Sequence, residues 1–159
     1  MSKGQIIGQV FIYITAVVVI GVIALMGYNA ITSMVNKSCS VEQVTFKSEI
    51  ENLIEKYSGY GSVTKKSISA PCGYEEVCFV SAKATGSIFC PENKLIEGSW
   101  SPSIKQNIYA ISKKSTIAVG YAKLLSVENI TKCTCIKSVN GRFDLTLKGE
   151  GSATVVSRT

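Results

Sequence analysis

The fold is decided by one apolar stretch near the start of the chain, Val10-Phe-Ile-Tyr-Ile-Thr-Ala-Val-Val-Val-Ile-Gly-Val-Ile-Ala-Leu-Met-Gly-Tyr28. The surrounding region from Gly4 to Asn36 holds no charged residue. As an α-helix this stretch would be about 28 Å long, close to the ~30 Å hydrocarbon core of a bilayer. It therefore predicts a single helix that spans a membrane.

A buried core helix and a cleaved secretory signal are the two alternative explanations of such a stretch. Core helices rarely run this far without a polar stripe. A secretory signal has an apolar region of roughly 7 to 15 residues followed by a small-x-small cleavage site. No such site occurs before Lys37, so we expect the stretch to remain in the mature protein.

The rest of the chain has the size and charge of one folded domain. The chain has 159 residues, and those from Thr32 to Thr159 are enough for a domain with a core. Sixteen basic and all eleven acidic residues follow the apolar stretch, a formal charge of +5. These charges are scattered and lack interleaved aromatic residues, so we expect a solvated surface and no nucleic-acid partner.

All the cysteines also follow the apolar stretch. An even number of cysteines on one side of a membrane helix indicates disulfides in an oxidising compartment, with the pairing left open. Metal binding is the alternative, but the spacings miss the zinc-knuckle pattern and the chain has no histidine. We expect disulfides, an extracytoplasmic domain, and no metal or cofactor. The disulfide candidates are Cys39, Cys72, Cys78, Cys90, Cys133 and Cys135.

Two glycosylation motifs agree with an external domain, Asn36-Lys-Ser38 and Asn129-Ile-Thr131. Lys3 and Lys37 flank the apolar stretch and give no preferred orientation by charge. The cysteines and the two motifs therefore favour a cytoplasmic N-terminus. Asn36 and Asn129 are the glycosylation candidates.

The chain begins with a short polar leader, Met1-Ser-Lys-Gly-Gln5. Leader and apolar stretch together resemble the class III signal peptides of type IV pilin-like proteins, in particular archaeal ones. The resemblance covers Lys3 to about Tyr57. It implies that a prepilin-peptidase-like enzyme cuts between Gly4 and Gln5, and that the apolar helix stays and assembles with other subunits.

The fifth residue after the implied cut is Gln9, where many pilins carry a glutamate that pairs with a neighbouring amino terminus. Gln9 can accept a hydrogen bond but cannot neutralise that charge, so this departure bears on assembly more than on processing. Small residues in the helix offer surfaces for close helix packing, although they are also common in membrane helices that do not associate. The candidate assembly residues are Gly8, Gln9, Phe11, Ala16, Gly21, Ala24 and Gly27.

An amphipathic helix is predicted over residues 41–58, and Gly59 stands where it would stop. Ser40-Val-Glu-Gln43 resembles a capping box and favours a new helix at Ser40. The absence of Pro and Gly from the end of the apolar stretch to Ser58 permits one continuous helix instead. We favour near-continuity with a bend around 37–40. The apolar stripe comprises Phe46, Ile50, Leu53, Ile54 and Tyr57.

Strands are predicted after Gly61, over 62–69, 74–82, 107–112, 116–125 and 152–157, with the first two as antiparallel neighbours. Residues 83–106 are predicted to cross the sheet, with Cys90 as a covalent staple and Trp100 as an apolar plug. Asn140-Gly141 predicts a two-residue hairpin. The predicted pairs are Val139–Arg142, Ser138–Phe143, Lys137–Asp144, Ile136–Leu145 and Cys135–Thr146.

This register has two consequences. Ile136, Phe143, Leu145 and Leu147 would share the face that packs on the amphipathic helix. Cys133 and Cys135 would point away from it. A bond between these two cysteines would be strained, so each is expected to have a different partner. We expect both partners to lie in segments that cross the outer face of the sheet, for example Cys90.

The sequence thus predicts an α+β protein in which a long N-terminal membrane-spanning helix leads into an amphipathic helix packed on an antiparallel β-sheet, as in pilins. The predicted divisions are a leader at 1–4, a transmembrane or assembly helix at 5–36, and an extracytoplasmic domain at 37–159. With no histidine, one aspartate and no Gly-rich phosphate loop, the chain is expected not to be an enzyme.

The resemblance implies a structural subunit, major or minor, of a type IV pilin-like archaeal surface filament. Its partners would be copies of itself or related subunits, the membrane and the processing enzyme. The alternative is a monomeric signal-anchored domain that stays in the membrane and binds a ligand through residues 83–106. A virion membrane protein would show the same pattern.

Overall fold

The computed structural model describes the backbone of residues 4–113 and 115–159, and their side chains except at 4–8 and 36. Most of the predicted leader, residues 1–3, lies outside this range. The chain falls into two compact units, one ending at Ser40 and the other running from Val41 to Thr159. The fold is α+β, as predicted.

Helix α1 runs without interruption from Gly4 to Lys56. The absence of Pro, and of Gly after Gly27, leaves no residue in this region that would break it. Ser40 lies inside the helix, so the capping box does not start a new helix and the continuous alternative is correct. The helix ends at Lys56, two residues before the end predicted for its amphipathic part.

Eight strands follow in the described part of the chain, with one more α-helix. They form two sheets, ordered β1-β7-β8-β5 and β4-β3-β2-β6, and not the single sheet expected. All strand pairs are antiparallel except the parallel pair β5–β8. The strands are β1 Val63–Ser69, β2 Glu76–Val80, β3 Ile108–Ile111, β4 Thr116–Gly120, β5 Leu125–Val127, β6 Cys133–Lys137, β7 Arg142–Gly149 and β8 Thr154–Arg158, and helix α2 is Lys94–Ser99.

The predicted pairing of the first two strands is wrong. β1 pairs with β7, whereas β2 pairs with β3 and β6 in the other sheet. A 3-10 turn at Pro71–Gly73 separates them, and both Cys72 and Gly73 have positive φ there. The turn therefore carries the chain from one sheet to the other and does not close a hairpin.

The predicted hairpin at Asn140-Gly141 is correct only at its turn. Both turn residues have positive φ, and Val139 faces Arg142 as expected. Beyond that pair the strands diverge, because β6 pairs with β2 whereas β7 lies between β1 and β8. The remaining predicted pairs are therefore wrong. Lys137 faces Glu76, and Asp144 faces Ser67.

One core joins the amphipathic part of α1 to both sheets. Phe46, Ile50 and Ile54 are almost fully buried in it, and the rings of Phe46 and Phe143 have centroids 5.8 Å apart. Each such side chain contributes about 1.5 to 3 kcal/mol when it leaves water. The prediction that the apolar face of β7 packs on the helix stripe is confirmed. The strand residues in this core include Ile68, Val77, Phe79, Ile108, Leu125, Ile136, Phe143, Leu145, Leu147 and Val156.

The loops around β7 and β8 contact the end of α1. The hydroxyl of Thr154 donates to the Ile54 carbonyl, and the backbone N–H of Gly151 donates to the Ser58 carbonyl at 2.9 Å. The hydroxyl of Ser62 donates to the Tyr57 carbonyl at 2.8 Å. Carbonyls that a helix end leaves without partners are thus satisfied by the domain itself.

Replacing Gly149 by alanine should lower the free energy of unfolding by at least about 2 kcal/mol, because overpacking displaces backbone. An added Cβ at this buried position would lie 2.0 Å from the Gly59 carbonyl oxygen and 2.5 Å from that of Tyr57. Denaturant unfolding of the full chain in detergent, followed by circular dichroism, measures the change.

Gly98→Ala is the matched control, because a Cβ at Gly98 meets nothing within 4 Å. In the short helix α2 this change should alter stability by less than about 1 kcal/mol. Equal stabilities for the two variants would contradict the steric role of Gly149.

Candidate functional site

The most conspicuous surface of the chain is the apolar segment, defined here as residues Gln9 to Val35 of α1. Every residue in it is exposed. Phe11 is 69% exposed, Val17 70% and Met34 71%, although such side chains are normally buried. By length and composition alone, α1 is long and apolar enough to cross a membrane.

The backbone of the apolar segment and two of its hydroxyls are satisfied within the helix. The hydroxyl of Thr15 donates to the Phe11 carbonyl at 2.7 Å, and that of Thr32 donates to the Tyr28 carbonyl at 2.9 Å. In hydrocarbon every unsatisfied polar group costs several kcal/mol, which is why helices that satisfy their own groups can span bilayers. The segment is therefore chemically compatible with lipid around it.

The candidate assembly residues do not all share one face of the helix. At about 100° per residue, Gln9, Ala16 and Gly27 fall close together and Ala24 lies beside them. Phe11 lies roughly 160° away from Gln9. A Cβ added at Gly21 or Gly27 would meet nothing within 4 Å, so both positions are open to a partner. Gly4, Gln5 and Gly8 lie in α1, and their surroundings are outside the described side chains.

Disulfides brace the domain, and all six cysteines are bonded. Cys78 and Cys135 lie directly opposite each other on β2 and β6, with a Cα separation of 4.0 Å. Cys90 is bonded to Cys133, with a Cα separation of 5.1 Å. The predictions that Cys133 and Cys135 have different partners, and that one of them is Cys90, are confirmed. The prediction that both partners lie in segments crossing the outer face is wrong for Cys135, because Cys78 lies on the neighbouring strand β2.

Residues 83–106 cross the outer face of the second sheet, as expected. They cover a second apolar cluster that contains Ile88, Cys90 and Ile96, with Trp100 packed against it half-buried. Helix α2 within this segment was not predicted. The sequence signal for this helix is Asn93. Its side-chain oxygen accepts hydrogen bonds from the backbone N–H groups of Leu95 and Ile96 in the first turn.

A small groove lies beside α2, where a ligand of the alternative function would be expected. Its volume is about 330 Å³, at the lower end for small-molecule sites. The hydroxyl of Tyr109 in its wall already donates to the Gln106 carbonyl at 3.2 Å. This hydroxyl is therefore already engaged within the protein. Its lining comprises Leu95, Ser99, Gln106, Tyr109, Thr116 and Ala118.

Two clusters of potential metal ligands occur in the described part of the chain. One consists of Cys90, Cys133 and Cys135, and the other of Glu76, Glu92 and Cys135. Every cysteine in them is consumed in a disulfide, so none can act as a thiolate ligand. Glu92 is paired with the Arg158 guanidinium. In both clusters, side chains that could bind a metal are thus already bonded to other groups of the protein.

Charged side chains gather beside these disulfides. The Nε group of Arg158 donates to the Cys135 carbonyl at 2.7 Å while its guanidinium pairs with Glu92. Glu76 faces Lys137 across β2 and β6. Partial burial raises the pKa of the Glu76 carboxyl and the charge of Glu92 raises it further, while Lys137 and Arg158 act in the opposite direction.

Comparison with known proteins identifies no relative. The chain matches no protein-family model, no curated protein and no solved structure. Its function therefore has to be inferred from its own residues.

Glu76→Gln should make the stability of the domain less sensitive to pH. Because the folded pKa of Glu76 lies above its ordinary value of 4.5, its charged form is disfavoured in the folded state. The free energy of unfolding of the native protein therefore falls as pH rises from 4.5 through that raised pKa. It recovers as pH is lowered again to 4.5.

Thermal unfolding of both proteins at pH 4 and pH 8 tests this effect. The glutamine variant should be the more stable of the two at pH 8, with the difference disappearing at pH 4. A larger stabilisation at pH 4 than at pH 8 would refute the sign of the shift. Glu55→Gln, an exposed helix position, is the control.

Proposed function

We propose that the chain is a structural subunit of a type IV pilin-like archaeal surface filament, assembled through the apolar segment. The observation that supports this most is the exposure of every residue from Gln9 to Val35. A contiguous apolar surface of this size marks a membrane or protein interface. The short leader that precedes it resembles a pilin leader.

The apolar segment needs an apolar environment before and after assembly. Leaving apolar surface in water costs about 25 cal/mol per Å². A bilayer meets this need before assembly, and the helices of neighbouring subunits meet it in a filament. Both environments accept a helix whose backbone and threonine hydroxyls are satisfied internally.

The face formed by Gln9, Ala16, Ala24 and Gly27 supports packing between copies. Small side chains let helix backbones approach closely in lipid, where no hydrophobic force drives association. Gln9 supplies a hydrogen-bonding group at one end of this face. As the fifth residue after the implied cut, it would meet the amino terminus of a neighbouring subunit.

The unit from Val41 to Thr159 has the features of a domain displayed outside the cell. It has its own core, and disulfides persist in oxidising compartments. Its sheets, braced by covalent bonds, would form the filament surface. In this proposal it has no catalytic role, and its partners are copies of itself or related subunits.

Processing is tested by the intact mass of the protein from its native host. In sheared extracellular filaments, the chain should lack Met1-Ser-Lys-Gly4 and begin at Gln5. A chain that keeps these residues and stays in the membrane fraction would overturn the filament proposal. It would favour the alternative, a monomeric signal-anchored domain. A Gly4→Val variant should keep its leader and remain in the membrane.

Assembly is tested by Gly27→Leu, which adds bulk where the single chain has open space. Filament yield by electron microscopy should fall about tenfold, equivalent to ~1.4 kcal/mol of lost packing. The amount of protein in the membrane fraction should stay unchanged.

Ile23→Leu is the control for this change. Ile23 is exposed on the same segment, and the substitution conserves the side-chain volume. It should form filaments at the wild-type yield. Wild-type yield from Gly27→Leu as well would exclude close packing at Gly27.

A further inference from the structure

The turn between β5 and β6 presents the sequence Asn129-Ile130-Thr131 on the surface, with all three residues exposed. We propose that Asn129 is a site of N-linked glycosylation, and that Asn36 is not. Nδ2 of Asn129 would receive an oligosaccharide from a polyprenyl-phosphate-linked donor on the outer side of the membrane. The proposal requires only that the unit from Val41 onward is extracytoplasmic, and it is independent of filament assembly.

The folded turn holds the asparagine and threonine side chains of the motif in contact. The hydroxyl of Thr131 donates to Oδ1 of Asn129 at 2.7 Å, and the backbone N–H of Thr131 donates to the same oxygen at 3.1 Å. Within the described part of the chain, Nδ2 of Asn129 has no hydrogen-bond partner. The carboxamide is thus oriented through its oxygen, and its nitrogen is left to react.

The turn is anchored on both sides, so its geometry does not depend on the sugar. The N–H of Lys132 donates to the Asn129 carbonyl at 2.9 Å, and the N–H of Phe89 donates to the Thr131 carbonyl at 2.8 Å. The next residue, Cys133, is bonded to Cys90. A glycan on the exposed side of this turn would leave the core contacts in place.

The second motif, Asn36-Lys37-Ser38, lies inside α1. Side chains two positions apart do not face each other on an α-helix. The helical backbone of residues 36–38 therefore differs from the turn that holds Asn129 and Thr131 in contact. This difference in backbone conformation selects Asn129.

The reaction balances with the donor named above. A bond forms between Nδ2 of Asn129 and the anomeric carbon of the first sugar, while the bond from that carbon to the phosphate oxygen breaks. Nδ2 loses one proton, and the polyprenyl phosphate leaves with the bonding electrons. No oxidant or reductant takes part.

The test uses the full chain purified from its native host. Trypsin cleavage after Lys123 and Lys132 releases residues 124–132, which contain Asn129. The Asn36 peptide covers 5–37 in a chain that has lost its leader and 4–37 in one that keeps it. In mass spectrometry the 124–132 peptide should carry a glycan with sugar fragment ions, at more than half occupancy. The Asn36 peptide should be unmodified. An unmodified 124–132 peptide, or a glycan on Asn36, would overturn the proposal.

Variants separate the motif from the fold. Thr131→Val keeps the branched shape but removes the hydroxyl, and should abolish the modification, whereas Thr131→Ser should retain it. Asn52→Gln, at an exposed position outside any motif, should leave the glycopeptide unchanged. An unchanged melting temperature of Thr131→Val would show that loss of the glycan is not a folding defect. Persistence of the glycan in that variant would refute the role of Thr131.

Discussion

The close contact of Gly149 with the carbonyls that follow helix α1 constrains how strand β7 meets the end of the helix. Only a residue without a side chain allows β7 to approach the carbonyls of Tyr57 and Gly59. The same strand also carries Phe143, whose ring packs against Phe46 of the helix. Strand β7 thus contacts the helix both through its core side chains and through a glycine at the helix end.

The second sheet depends on covalent bonds as well as on this core. Its strand β2 buries Val77 and Phe79 toward the helix, while Cys78 and Val80 face the segment 83–106. The Cys90 to Cys133 bond ties that segment to strand β6 and so stabilises its position. A sheet with apolar residues on both faces needs such a cover.

Sequence patterns identified the parts of this structure that are encoded locally. The helix stripe, the Asn140-Gly141 turn and the separate partners of Cys133 and Cys135 follow from helical spacing, turn chemistry and alternation. The divergence of β6 and β7 could not be predicted, because it is decided by distant partners in β2 and β1. The apolar segment was recognisable from composition alone, whereas which face of it associates needs an observed partner. The contact of Asn129 with Thr131 required the folded turn.

The two compact units differ in how far their apolar side chains are buried. From Val41 onward the chain forms two buried apolar clusters, and its described residues leave no buried side-chain polar atom without a hydrogen bond. Asn107 shows this well, since its amide both donates to and accepts from the backbone of Ala122. The apolar segment has the opposite character, with an uncovered apolar surface and with the hydroxyls of Thr15 and Thr32 bonded inside the helix. An apolar helix surface that is exposed in the single chain is the property that a membrane anchor and an assembly helix share.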